Sequence, residues 1–91
     1  MDFYTFMTFF DDVAVYQVNA ESLVAAIETW VTEIVNPDYY EMNNENMMEL
    51  QKEMLEYQDP VRVEDTVNVW CYAYLLRDEV MFIYIVKTRK S

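Results

Sequence analysis

Two runs of β-branched and aromatic residues, parted by three charges, constrain this chain more than any other feature. Residues 66–76 read Thr-Val-Asn-Val-Trp-Cys-Tyr-Ala-Tyr-Leu-Leu, Arg77-Asp78-Glu79 interrupt, and Val-Met-Phe-Ile-Tyr-Ile-Val follows from Val80 to Val86. That pattern is the signature of a β-hairpin. Side chains alternate across a strand, so Val67, Val69, Cys71, Ala73 and Leu75 share one face, and Asn68, Trp70, Tyr72, Tyr74 and Leu76 the other. In the second strand Val80, Phe82, Tyr84 and Val86 oppose Met81, Ile83, Ile85 and Lys87. The aliphatic face is expected to be the floor of the core. The Trp and Tyr face, apolar in its rings and polar at its tips, is expected to be partly open.

The start of the chain repeats the theme. Asp2 to Phe10 carries aromatics interspersed with threonine, Asp11-Asp12 breaks the run, and Val13 to Val18 gives a second strand. Two aspartates are an unusual hairpin turn, because tight turns favour Asn-Gly or Asp-Gly and the chain has no glycine. A wider turn is expected. Between the hairpins lie two helices. The first opens at Asn19-Ala20-Glu21-Ser22, with Ser22 or Asn19 as cap, carries Leu23, Ile27, Trp30 and Ile34 at helical spacing with Val24, Val31 and Val35 widening the stripe, and stops at Pro37. The second runs from Asn43 or Asn44 to about Tyr57, with Met47, Leu50, Met54 and Tyr57 on one face. Val61-Arg62-Val63 reads as a short extended piece.

The order ββααββ predicts a single α+β domain over residues 1–91, an antiparallel four-stranded sheet with two helices packed on one face. More than half of the residues are hydrophobic, which suffices for a core at this length.

Charge and missing residue types narrow the function. Seventeen acids against six bases give a net charge of −11, which repels nucleic acid and anionic membranes and attracts basic surfaces. Nine of those acids fall within residues 38–65. With no histidine, imidazole acid–base chemistry, triads and histidine metal sites are excluded. With no glycine, glycine-rich phosphate loops and dinucleotide fingerprints are excluded as well. Serine occurs only at Ser22 and Ser91, and Cys71 alone allows no internal disulfide. Asp11-Asp12 supplies too few ligands for a calcium loop. No enzyme activity, cofactor or metal is expected. The lone cysteine, the absence of a basic leader and the absence of a long apolar run point to a cytoplasmic protein.

Several segments together resemble a known group. They are the aromatic first strand, Tyr16–Val18, Ala20-Glu21-Ser22 leading to Ala26-Ile27 and Trp30, Asn68-Val69-Trp70-Cys71, and the ending Ile85-Val86-Lys87-Thr88. The chain resembles small bacterial immunity-type proteins that accompany polymorphic or contact-dependent toxins. The likeness covers both ends and leaves out residues 36–66, and Asp11-Asp12 departs from the glycines common in that first turn. It implies an intracellular inhibitor that binds a cognate toxin, often a basic nuclease.

The expected partner is therefore a protein with a basic surface, a toxin domain, with no direct contact to nucleic acid or membrane. Glu45, Glu49, Glu53, Glu56 and Asp59 would steer it, helped by Tyr39 and Tyr40, while Trp70, Tyr72 and Tyr74 would anchor it, since rings dominate binding hot spots. A phage-encoded inhibitor imitating nucleic-acid charge uses the same mechanics. A carboxylate-pair enzyme and a structural homodimer joined through the aromatic Trp and Tyr sheet face are the remaining alternatives.

Overall fold

In a computed structural model of the chain, which describes residues 1–56 and 60–88, the two hairpins join into one sheet. The strands are β1 (Asp2–Phe10), β2 (Asp12–Ala20), β3 (Val61–Arg62), β4 (Val69–Leu76) and β5 (Glu79–Thr88). Their spatial order is β2-β1-β5-β4-β3, antiparallel throughout. The α+β class and the two helices agree with the sequence reading, but the sheet has five strands, not four. The fifth is the short extended piece: Val61 pairs with Cys71 and Arg62 with Trp70. A two-residue strand carries no sequence periodicity of its own. It forms because β4 would otherwise present an open edge.

Without glycine, the chain reverses direction on charged residues. Asp11, Glu41, Asp65, Arg77 and Asp78 all take positive φ, between 48 and 66°. Asp11 alone separates the paired residues Phe10 and Asp12, so the first turn is tighter than expected. Arg77 and Asp78 form a two-residue loop between the paired Leu76 and Glu79, and positive φ at both is the type I′ pattern. Aspartate tolerates this region better than most residues, whereas Glu41 pays the full steric cost of about 1–2 kcal/mol. What Glu41 contributes here is its backbone carbonyl, which accepts from Arg77 at 2.9 Å. Glu41→Gly keeps that carbonyl and should raise stability by about 1 kcal/mol, read as a higher urea midpoint. A lower midpoint would mean that the Glu41 side chain has a role of its own.

Helix α1 (Leu23–Thr29) starts at Ser22, whose hydroxyl accepts from the Ala25 amide at 3.1 Å. It then widens into a π-helical turn over Trp30–Ile34, closed by the i→i+5 bond from the Val35 amide to the Trp30 carbonyl. That extra residue shifts the stripe. Ile27, Trp30, Val31 and Val35 are buried, while Ile34 and Val24, which belong to a straight helical stripe, are exposed. Helix α2 (Asn44–Gln51) opens on a capping box between Asn43 and Asn46 and also passes into a π turn, Lys52–Glu56. Its Leu50 and Met54 are buried; Tyr57 lies outside the described residues.

Both helices cover the same face of the sheet, and on β4 it is not the one expected, although on β5 the aliphatic row Met81, Ile83 and Ile85 does form the core floor. The buried set is Tyr4, Phe6 and Thr8 on β1, Val18 and Ala20 on β2, Tyr72, Tyr74 and Leu76 on β4, and Met81, Ile83 and Ile85 on β5. Trp30 lies flat on Phe6, with ring centroids 4.9 Å apart and planes 9° from parallel, and Tyr16 meets it edge-on. The aliphatic row Cys71, Ala73 and Leu75 faces the other way, with Ala73 and Leu75 exposed and Cys71 half-buried. The inversion has a physical cause. A tyrosine is long enough to cross from sheet to helix with its ring in the core and its hydroxyl at the rim. Tyr74 donates to Glu49 at 2.9 Å and to the Asn46 carbonyl, and Tyr72 donates to Glu53. A valine or alanine in those positions would leave the gap unfilled.

The uncovered face is made of rows set by the strand register. Val15, Met7, Tyr84, Cys71 and Val61 run across all five strands, flanked by Val13, Phe9, Phe82 and Ala73 on one side and Gln17, Thr5, Val86 and Val69 on the other. Phe9 and Tyr84 meet edge-to-face at 5.6 Å.

Candidate functional site

The antiparallel pairing of β1 with β5 brings both hairpin turns to one end of the sheet. Asp11 and Asp12 of the first turn meet Arg77 of the second in a shallow depression of about 280 Å³, lined also by Phe10, Asp38, Tyr39, Tyr40 and Glu41. Asp78 and Glu79 continue the second turn beside it. Four carboxylates and one guanidinium therefore line the depression where three chain reversals meet.

The third reversal is the 3-10 turn Pro37–Tyr40, capped by the Asn36 side chain, which accepts from the Asp38 amide at 3.0 Å. Arg77 ties it to the sheet. The guanidinium donates to the carbonyls of Tyr40, at 2.8 Å, and Glu41, at 2.9 Å, and lies 5.8 Å from the centroid of the Phe10 ring. Its positive charge is thus turned onto backbone oxygens, and the carboxylates around it keep their negative potential toward solvent.

Tyr39 and Tyr40 are neighbours with opposite fates. Tyr40 is buried, and its hydroxyl joins those of Thr8 and Tyr16 in a chain of hydrogen bonds under the sheet. Burial pushes the Tyr40 phenol well above the usual tyrosine range. Tyr39 packs edge-on against Tyr40 at 4.9 Å and remains 50 % exposed, an aromatic ring standing among acids.

A second acidic stretch leaves this end along α2. Glu45 and Glu49 are exposed and Glu53 half-buried, spaced one turn apart on one line. The line lies beside β4, because Glu49 and Glu53 accept from the hydroxyls of Tyr74 and Tyr72. The Tyr74 phenol is pushed up to about 12, first by burial and then by the carboxylate it faces.

The residues expected to bind a partner therefore separate into three groups. Tyr39, Glu45, Glu49 and Glu56 are exposed and Glu53 is half-buried. Tyr40, Tyr72 and Tyr74 are buried and brace the fold, so their rings offer no anchor; Trp70 is half-buried opposite Ile85 on the covered face. Asp59 lies outside the described residues. What sequence reasoning missed is the acidic end itself. Its signal was present, since both strand pairs turn on acidic residues, but using it required knowing that β1 and β5 are neighbours.

Among the described residues no group of three metal-ligating side chains could hold an ion, and no helix is long and apolar enough to cross a membrane. No family model matches the chain, and neither does any curated protein or solved structure.

Proposed function

We propose that this chain is an acidic protein-binding inhibitor of the immunity type, which neutralises a basic, nuclease-like toxin domain by direct binding. The observation that carries this reading is the exposed ring of Tyr39, which lines one depression with the carboxylates Asp11, Asp12, Asp38 and Glu41. Carboxylates of this kind speed encounter with a cationic surface, and a central aromatic ring with an acidic rim supplies holding energy. The α2 line through Glu45 extends the negative potential along the partner. A nuclease site that recognises phosphates is complementary to such a surface. The resemblance of the two ends of the chain to immunity-type proteins points the same way.

Asparagine keeps the turn chemistry of aspartate and removes its charge. The triple variant Asp11→Asn, Asp12→Asn, Asp38→Asn should therefore fold normally. It should associate with a toxin domain that the wild-type chain inhibits about tenfold more slowly at low salt, and the salt dependence of the rate should flatten. Tyr39→Ala should instead raise the dissociation rate. Association rates unchanged by the triple variant at low and high salt would refute the acidic-end reading. Charge reversal at Glu49 or Glu53 is a poorer test, because it also breaks the hydrogen bonds from Tyr74 and Tyr72.

A further inference from the structure

The open face of the sheet is the largest feature that the acidic end leaves unexplained. Its central rows carry valine, methionine, phenylalanine, tyrosine, alanine and cysteine, bordered by Thr5 and Gln17, and no charged side chain. On a chain of net charge −11 that exclusion is selective. Lone exposed hydrophobics are ordinary on a monomer, but a continuous apolar sheet face is not.

We infer that this face is the interface of a homodimer, in which two copies of the sheet pack face to face as a ten-stranded sandwich. Three considerations select a second copy over other occupants. The first is charge: a basic partner would find no counter-charge here, and two strongly acidic chains can approach closely only where neither is charged. This surface is uncharged on both sides of an isologous contact. The second is shape. Sheet faces stack about 10 Å apart with strands aligned to within about 30°, so a sheet face is a natural fit for its own copy. The third is area. Five strands about 4.8 Å apart, bearing three to four rows of side chains, present roughly 500 Å² in plan. Two such faces reach the ~1,000 Å² at which specific interfaces begin.

Charge also sets the orientation. With strands antiparallel across the interface, the acidic turns of one copy, Asp11-Asp12 and Asp78-Glu79, lie over the opposite end of the partner sheet. At that end Asp2 is already neutralised by an ion pair with Lys87 at 3.4 Å, on the helix-covered side of the sheet. The parallel arrangement would set the two acidic ends against each other. The twofold axis then passes close to Phe82 and Tyr84 on the central strand β5, beside the shallow depression that they line with Met7 and Phe9. The α2 line and Tyr39 pack on the helix-covered side of the sheet, away from this face, so the inference does not rest on the inhibitor reading.

The test is the solution mass of the full chain over a concentration series, by light scattering or sedimentation. The wild type should give twice the 11.0 kDa chain mass. Phe82→Glu should weaken self-association by roughly a hundredfold or more, because the dimer would bury an unpaired carboxylate. Leu75 is 62 % exposed, so Leu75→Glu leaves the monomer core alone and decides the matter if Phe82→Glu fails to fold. The Asp11, Asp12 and Asp38 triple variant should keep the dimer mass whatever it does to toxin binding. A wild type that is monomeric at every concentration overturns the inference. So does a dimer that survives either glutamate substitution in a folded chain, which would point to pairing along the free edge of β2 instead.

Discussion

Trp30→Ala should destabilise the chain by about 3–5 kcal/mol, the range for deleting a large aromatic side chain from a packed core. A domain of this size has about 5–15 kcal/mol in total, so the variant loses a large fraction of its stability. Trp30 is fully buried, stacked on Phe6 and flanked by Tyr16, and sits where α1 passes into its π turn. It therefore joins the helix layer to the two strands of the first hairpin. Its indole N–H has no hydrogen-bond partner among the described residues. Trp30→Phe removes that unpaired donor along with some ring area, so it should cost much less than Trp30→Ala. Urea unfolding of the two variants beside the wild type measures both effects. Equal losses would mean that the site depends on the whole indole, its N–H included, and not on buried aromatic area.

Tyr40→Phe should cost about 1–3 kcal/mol, the penalty for leaving buried polar groups without a partner. The lost hydroxyl serves both Thr8 and Tyr16. Thr8 is buried and retains only a long 3.5 Å contact to the Ala14 carbonyl, whereas the half-buried Tyr16 can turn to water. A pH dependence follows from the same tyrosine and from Tyr74. Both phenols are raised above the unfolded value of about 10, chiefly by burial. The unfolded chain then loses these protons first. Their contribution to stability is complete below about pH 10 and declines as pH rises toward and beyond about 12. The Tyr40→Phe deficit should accordingly shrink between neutral pH and about pH 11, seen as converging urea midpoints. A deficit that stays constant or grows over that range would contradict the burial of the phenol.

Much of the fold could be read from residue pattern. Both hairpins, the Ser22 cap, the Asn43 start of α2 and the stop before Pro37 follow from local chemistry that sequence displays directly. What pattern could not supply was which side of an apolar strand is covered. Along β4 both alternating sets are hydrophobic, Cys71, Ala73 and Leu75 against Tyr72, Tyr74 and Leu76, so periodicity does not decide between them. The decision comes from reach: tyrosines can find acceptors on α2, and small aliphatic side chains cannot. The π turn of α1 redrew one edge of the helical stripe: the additional residue turns Ile34 outward while Val31 and Val35 stay buried, and no propensity in Trp-Val-Thr-Glu-Ile announces it.

The candidate site was half legible. The α2 carboxylates were evident from their spacing of four. The acidic end was hidden, because residues 11–12, 38–41 and 77–79 are far apart in the chain and meet only once the strand order is fixed. Tyr39 and Tyr40 show the limit most clearly. Adjacent, chemically identical side chains diverge completely, one half in water and one within the core, because the 3-10 turn aims them in different directions.

The central seam of the sheet, where Phe3 lies opposite Thr88 and Phe9 opposite Phe82, joins segments more than seventy residues apart. Closing so long a loop carries its entropic cost before any contact compensates for it, which places folding in the slow, non-local regime. During synthesis on a ribosome, the β1–β2 hairpin has to wait with one edge unoccupied until β5 emerges. For that interval the side of β1 that will become the middle of the molecule is an exposed template, and it is there that premature pairing between nascent copies would begin.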